Sequence, residues 1–296
     1  MATTHEIRRR IKSIKSTAKI TKAMELVAAS KLRKVETRTL SARSYEKELS
    51  LLVFKLLALG KKIDHPLLSQ RPTSKTLLVV FTSNRGLAGA YNLNVIKAVL
   101  QEIKKEKEIA VIAIGKKGEN FFSRAGLELK AVFHNLPTLP TMYDVKPISR
   151  LISESFLGNE VSKVKLLFTN YLSPIKQEVV SSTLLPLTLD SKESQRFLSE
   201  EEFNKLLTRY ALLPPLLEPN HEEIINLLLK KIIEEKILQA FFEASTSEHA
   251  ARMLAMRNAT EAAEEITEEL TLTYNSLRQA IITRELTEIV LGAEII

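Results

Sequence analysis

The sequence contains no cysteine and no tryptophan among its 296 residues. Without thiols it cannot build a disulfide scaffold, a Cys-ligated zinc or iron–sulfur site, or a dithiol switch. Its five histidines (His5, His65, His134, His221 and His249) are scattered and form no HExxH pair, which leaves little material for a His-based metal site. His249, in SEHAARM, reads as a helix-surface residue. No run approaches the ~18 consecutive apolar residues of a membrane span. The N-terminus, MATTHEIRRRIKSIK, is basic but lacks an apolar core behind it, so it reads as mature protein and not as a secretory leader. With 45% apolar and 26% charged residues, wholesale disorder and collagen-like repeats are excluded.

Glycine is also scarce, at eight residues, and it is distributed unevenly. Ala2–Leu59 holds neither Gly nor Pro, and neither does Asn220–Leu291; all ten prolines and seven of the eight glycines lie between, Gly60 directly after the first run. At ~1.5 Å per residue these runs would make helices of ~85 Å and ~105 Å. Such lengths exceed those of ordinary globular helices and predict a coiled coil or helical stalk.

The periodicity agrees with that reading. Alternating steps of four and three from Ile7 visit Ile11, Ile14, Ala18, Thr21, Glu25, Ala28, Leu32, Val35, Thr39, Ala42, Glu46, Leu49, Val53 and Leu56, a mostly apolar seam. In the second run, Met256, Ala259, Ala263, Ile266, Leu270, Tyr274, Leu277 and Ile281 keep a similar spacing, with Glu261, Glu264, Glu265, Glu268 and Glu269 on the other face. Charge separates the same two runs. Residues 1–62 carry a net +11, residues 63–219 a net +4 and residues 220–296 a net −7. The two ends of one chain are therefore expected to pair antiparallel, basic helix against acidic helix.

The middle reads as an α/β domain. Buried-strand patterns occur at 76–83, 108–115, 127–133, 164–173 and 179–187, with helical stretches at 92–107, 116–125 and about 147–156. The alternation predicts a Rossmann-like, mostly parallel sheet with an antiparallel edge. A Pro-containing segment at 211–219 returns the chain to helix. The expected domains are a helix over 1–62, a central α/β domain over 63–210 and a second long helix over 211–296.

The first strand runs into SNRGLAGAYN, where this fold class would receive a nucleotide phosphate. Neither GxGxxG nor GxxxxGK[ST] is present, however, and Gly86 and Gly89 read as turn and packing residues. No GxSxG elbow and no acid–base dyad occurs. No catalytic constellation, cofactor site or metal site is expected. The basic first helix could grip nucleic-acid phosphates, which makes a coiled-coil nucleic-acid-binding adaptor the alternative reading. Against it, aromatics are sparse along that helix, the apolar seam requires a partner, and the second helix is acidic.

Four segments, ITKAMELVAASKLRK (20–34), TSNRGLAGAYN (82–92), SEHAARMLAMRNAT (247–260) and YNSLRQAIITRELTEIVLGA (274–293), together resemble the γ subunit of F-type ATP synthases. They occur in order and at full-length spacing. The resemblance implies a central rotor stalk, itself non-catalytic. It would stand in a ring of α and β subunits, with a foot beside the ε subunit and the membrane c-ring, and couple proton-driven rotation to ATP synthesis and hydrolysis. It implies contact with β through Met24, Arg252, Arg278 and Gln279, with Arg252 and Gln279 near Met24. It implies ring and ε contacts through Arg85, Gly86 and Glu218. No nucleic-acid partner is implied. The family commonly has Asp where Asn84 stands, often Cys where Ala88 stands, and an Asn near Ala262. The lack of a transit extension and of a Cys-bearing insertion implies a bacterial-type subunit, peripheral to the cytoplasmic face of the cell membrane.

Overall fold

The structure, a computed structural model, describes residues 3–57, 65–106, 108–134, 136–187, 208, 218 and 220–293. The expected joins at 62/63 and 210/211 lie outside these residues, as does the segment 211–219 apart from Glu218. Ten elements follow in order: α1 (Thr4–Leu57), β1 (Lys75–Phe81), α2 (Tyr91–Lys105), β2 (Glu108–Ile114), α3 (Lys116–Arg124), β3 (Glu128–Phe133), α4 (Met142–Leu157), β4 (Lys163–Tyr171), β5 (Gln177–Leu185) and α5 (His221–Ala293). Two compact units result. One is Lys31–Ala251; the other combines Met1–Ser30 with Arg252–Ile296.

In the unit Lys31–Ala251, five strands form one sheet in the order β3-β2-β1-β4-β5. The first four are parallel and β5 runs antiparallel to β4, as the alternation of strand and helix predicts. Side chains alternate across β1. Leu77, Val79 and Phe81 join a core with Ile148 and Ile152 of α4 and Leu229 and Ile233 of α5. Leu78 and Val80 face Val95 and Val99 of α2 and Phe122 of α3. Full burial of each such side chain is worth about 1.5–3 kcal/mol, which explains why β1 and β2 read as unbroken apolar runs.

Two expectations are corrected here. Helix α4 starts at Met142, not near Pro147. Asp144 accepts the Thr141 backbone N–H at 2.7 Å and the Thr141 hydroxyl at 2.8 Å, a capping arrangement that fixes the first turn upstream of the proline. His249 is buried rather than at a helix surface. Between Ile225 and Ala250 most positions around α5 are buried, because the helix packs against the sheet and α1 at once.

Candidate partner-binding surfaces

The loop after β1 lies at the carboxyl end of the sheet, beside the point where strand order reverses between β1 and β4. That is where this architecture places a phosphate-binding helix N-terminus. The helix that follows β1 is α2, whose N-cap Ala90 makes no side-chain cap bond, while the loop itself is fastened to the backbone donors at the start of α3, the helix after β2. Lys116 N–H donates to Asn84 Oδ1 at 3.1 Å, Lys117 N–H to the Ser83 carbonyl at 3.0 Å and Gly118 N–H to Thr82 Oγ1 at 2.9 Å. Asn92 fastens the same loop, accepting the Ser83 N–H at 3.0 Å. A Cβ on Gly115, at φ +99°, would lie 2.1 Å from the Thr82 carbonyl, so the loop and α3 touch backbone to backbone. Gly89 is a left-handed turn residue at φ +53°, as expected, but the other left-handed position falls on Leu87 (φ +61°) rather than on Gly86. Leu87 and Arg85 are exposed on this loop, Gly86 is half-buried, and Glu218 is exposed elsewhere in the chain.

A buried polar network joins the carboxyl end of β4 to both long helices. Glu243 on α5 accepts Arg43 Nε at 2.6 Å and Arg43 Nη2 at 2.8 Å from α1, the Tyr171 N–H at 3.0 Å and Gln239 Nε2 at 2.7 Å. Arg43 Nη2 also donates to the Tyr171 carbonyl at 2.7 Å. The Tyr171 hydroxyl donates to Glu36 at 2.9 Å. Burial, then that bond to Glu36, pushes the Tyr171 pKa up to about 12, so it stays a donor throughout the physiological range. Thr39 and Thr246 pair their hydroxyls at 2.8 Å nearby. Moving four residues forward in α1 from Thr39 to Arg43 moves three back in α5, which is antiparallel pairing.

In the unit formed by 1–30 and 252–296, the same sense holds. Thr21 and Thr260 share a 2.7 Å hydroxyl contact, and Glu25 helps raise the Arg257 pKa, after the larger effect of the Glu261 hydrogen bond. On α1 the least exposed positions are the expected seam residues, Ile7, Ile11, Ile14, Ala18, Thr21, Glu25 and Ala28, with Met24 half-buried beside them. On α5 the seam is displaced from the expected one. Ile266 is 45% exposed, and Thr260 and Thr267 are the seam positions between Met256, Ala263 and Leu270. Each threonine hydroxyl donates to the carbonyl four residues back, Thr260 to Met256 at 2.9 Å and Thr267 to Ala263 at 2.7 Å, so it enters the seam without an unmatched donor.

The register from Thr21 and Thr260 brings the start of α1 level with about Leu277, which is also the last half-buried residue among the described side chains of α5. Beyond it Ile281, Ile282, Leu286 and Ile289 are all exposed. The seam therefore does not continue to Ile281 as the spacing suggested. Arg278 and Gln279 lie just past the end of the pairing, exposed, whereas Arg252 is buried. At ~1.5 Å per residue Arg252 and Gln279 are about 40 Å apart along α5. Met24, level with Thr260 to Arg257, is thus near the Arg252 end and not near Gln279. A groove of about 980 Å³ follows the pair, with Lys15, Lys19 and Lys22 on its α1 side and Glu264 and Glu268 on its α5 side.

Among the described residues no group of His, Cys, Asp or Glu is arranged to hold a metal ion, and no helix is long and apolar enough to cross a membrane. The sequence gives no sign of the Arg43–Glu243 pair, whose partners lie 200 residues apart.

The family model described as ATP synthase matches residues 3–296. The ATP synthase gamma chain of Halothermothrix orenii is 41% identical over 99% of both chains. That of Heliobacterium modesticaldum is 38% identical over 97% of both. Among solved structures, a chain of the Tetrahymena thermophila mitochondrial ATP synthase central stalk and c-ring has a TM-score of 0.61 at 25% identity, covering 81% of this chain and 99% of that one. A chain of the Euglena gracilis mitochondrial ATP synthase rotor, 18% identical with a TM-score of 0.63 and covering 94% of this chain and 98% of that one, shares the fold. With a family model spanning nearly the whole sequence and curated relatives at this identity, the chain belongs to the ATP synthase gamma-chain family.

Proposed function

We infer that the chain is the central-stalk γ subunit of a proton-translocating ATP synthase, a non-catalytic rotor that couples turning of a membrane c-ring to the nucleotide sites of β. The observation that carries this reading is the antiparallel helix pair in the unit of residues 1–30 and 252–296, whose α5 helix runs past the start of α1 and exposes Ile281, Ile282, Leu286 and Ile289. An apolar tip suits an apolar bearing, where few directional bonds must break during rotation. The loop after β1 carries neither GxGxxG nor GxxxxGK[ST], which favours a scaffold role for the α/β domain over nucleotide binding.

Met24, Arg252, Arg278 and Gln279 are the proposed β contacts. The 40 Å between Arg252 and Gln279 makes them two zones, a lower one at Met24 and Arg252 and an upper one at Arg278 and Gln279. Arg85, Gly86 and Glu218 are the proposed contacts to ε and the c-ring. Residues 1–62 and 211–296 supply the stalk helices and 63–210 the foot, on the cytoplasmic face of a bacterial membrane. The test is reconstitution with α and β subunits. The full chain should convert them into a complex that hydrolyses ATP and rotates, and co-assembly without any gain in turnover or rotation would reject the reading.

A further inference from the structure

In the unit Lys31–Ala251 the carboxyl end of β4 is tied to both long helices at one residue, Tyr171. Its backbone N–H donates to Glu243 of α5 at 3.0 Å, its carbonyl accepts Arg43 Nη2 of α1 at 2.7 Å, and its hydroxyl donates to Glu36 of α1 at 2.9 Å. Arg43 and Glu243 close the triangle through two bonds of 2.6 and 2.8 Å. Two residues back along β4, the Thr169 carbonyl accepts the Ser247 hydroxyl of α5 at 3.1 Å. Around these bonds the contact is apolar, with Val35, Ala42 and Leu49 of α1 and Ile237, Ala240 and Ala244 of α5 in one core with the sheet. Apolar contact is non-directional, so it resists separation of helix and sheet but opposes sliding and turning only weakly. Hydrogen bonds fix distance and angle together. Stability alone does not account for Glu243, which is 3% exposed, because apolar residues of similar volume commonly serve stability as well as a buried ion pair does.

We propose that Glu243 is a positioning residue for rotation, with Tyr171 as its anchor in the sheet: together with Arg43 they stop the α/β domain from turning about α1 and α5, so that torque applied to the domain reaches both helices without angular slack. The proposal rests on the rotor reading. Each Glu243 oxygen receives two donors. Oε1 takes Arg43 Nε and Gln239 Nε2, and Oε2 takes Arg43 Nη2 and the Tyr171 N–H. The carboxylate is thus held from α1, from β4 and from its own helix, and it cannot follow one element without leaving another. The planar guanidinium grips both oxygens at once, which a lysine ammonium does not reproduce. Bonds to an ionised group are about twice as strong as neutral ones, so the stiffness of the joint follows the charge on Glu243.

The chain has no cysteine, so Lys104→Cys on the exposed side of α2 gives a unique attachment point for a bead. The full chain is assembled with α and β subunits, the complex is fixed to glass through β, and the angular variance of the bead is measured with hydrolysis stalled by a non-hydrolysable nucleotide. Glu243→Gln should raise the variance by up to about twofold, the factor by which the bonds weaken when the charge is lost. Arg43→Lys keeps the charge but not the two-point grip. It should lie between the parent and Glu243→Gln, and it carries the test if Glu243→Gln does not assemble. Ile152→Val removes one buried methyl group from α4 and lowers the melting temperature without touching the joint, so its variance should equal the parent's. Equal variance in the parent, Glu243→Gln and Arg43→Lys, in a parent complex that rotates with ATP, would overturn the proposal and leave the rotor reading standing. Broadening by Ile152→Val as large as that by Glu243→Gln would also overturn it, because the effect would then follow stability. A parent chain that assembles but never rotates would reject the rotor reading and this proposal with it.

Discussion

Arg43 on α1 and Glu243 on α5 form a two-point ion pair in which Glu243 is almost completely enclosed while the Arg43 side chain is 40% exposed. The two partners are therefore unequal in what their loss would cost. Arg43→Met strands a buried carboxylate that keeps only the Tyr171 N–H and the Gln239 amide as donors. Removing one member of a buried pair costs about 3–5 kcal/mol. Glu243→Gln leaves a guanidinium that can turn toward water, at about 1–2 kcal/mol. The urea midpoint of the full-length chain should fall further for Arg43→Met than for Glu243→Gln, and the reverse order would show that the enclosed carboxylate is not the dominant cost.

The helix register makes a second expectation measurable. Seven residues back from Thr21 in α1 is level with seven forward from Thr260 in α5, so Ile14 lies opposite Thr267. Lys15 and Thr267 line the same groove, which agrees. Cysteines at Ile14 and Thr267 should form a disulfide under mild oxidation, whereas cysteines at Ile14 and Ile281, about 20 Å further along α5, should not. Efficient crosslinking of the second pair would mean that the helices slide.

How much of this was legible beforehand depends on the kind of signal. The sheet was, because β1 and β2 are buried on both faces and read as continuous apolar runs. The α1 seam was too, since every position of the four–three alternation from Ile7 to Val53 is half-buried or buried. The α5 seam was misread by one position at Ile266 and Ala259, because hydrophobicity ranks isoleucine and alanine above threonine. The pairing is set instead by the Thr21–Thr260 contact and by hydroxyls returned to the helix backbone. The α4 start had a signal, Thr141 three residues before Asp144, that the proline at 147 obscured. Nothing local marks Lys165, which bridges Glu102 at 2.7 Å and Glu106 at 2.6 Å, or the buried state of Glu235 and His249.

Two buried acidic sites should respond to pH in opposite directions. Burial pushes the Glu235 pKa up to about 7, with Lys231 opposing and Glu46 adding to the rise. A folded pKa above the unfolded one means that its contribution is fully present below about pH 4.3 and is lost as pH rises through about 7. Glu235→Gln should therefore be near-neutral at pH 4.5 and stabilising by about 1–3 kcal/mol at pH 8. Glu106 behaves oppositely. The Lys165 hydrogen bond outweighs its burial and holds its pKa below the ordinary carboxylate range. Glu102 follows, its burial overcome by bonds from Lys105 and Lys165. Their contribution is present above about pH 4.3 and is lost as pH falls below it, so Lys165→Met should lower the melting temperature at pH 7 more than at pH 3.5. Melting curves across pH for the parent and both variants decide the matter; parallel curves would show that neither site titrates differently on folding.

The last prediction concerns Met24 under the rotor reading. It is half-buried on α1 at the level of Arg257, uncharged and unbranched, so it can pass a partner surface without forming a lasting bond. If its partner is an acidic segment of β, Met24→Lys places an ammonium opposite carboxylates. At an effective dielectric of ~20 and ~4 Å the attraction is ~4 kcal/mol, before desolvation and side-chain ordering reduce it. A residue of ~1–2 kcal/mol would deepen one angular position of the stalk and slow the step that leaves it by about five- to thirtyfold. Assembly should be intact, because the seam positions Thr21, Glu25 and Ala28 are unchanged. Met24→Leu, similar in volume and uncharged, should be near-neutral. The measurement is proton pumping and ATP hydrolysis against temperature for complexes carrying Met, Lys or Leu at this position. The Lys complex should show a steeper temperature dependence and less pumping per ATP, while identical slopes and ratios in all three would assign Met24 to helix pairing alone.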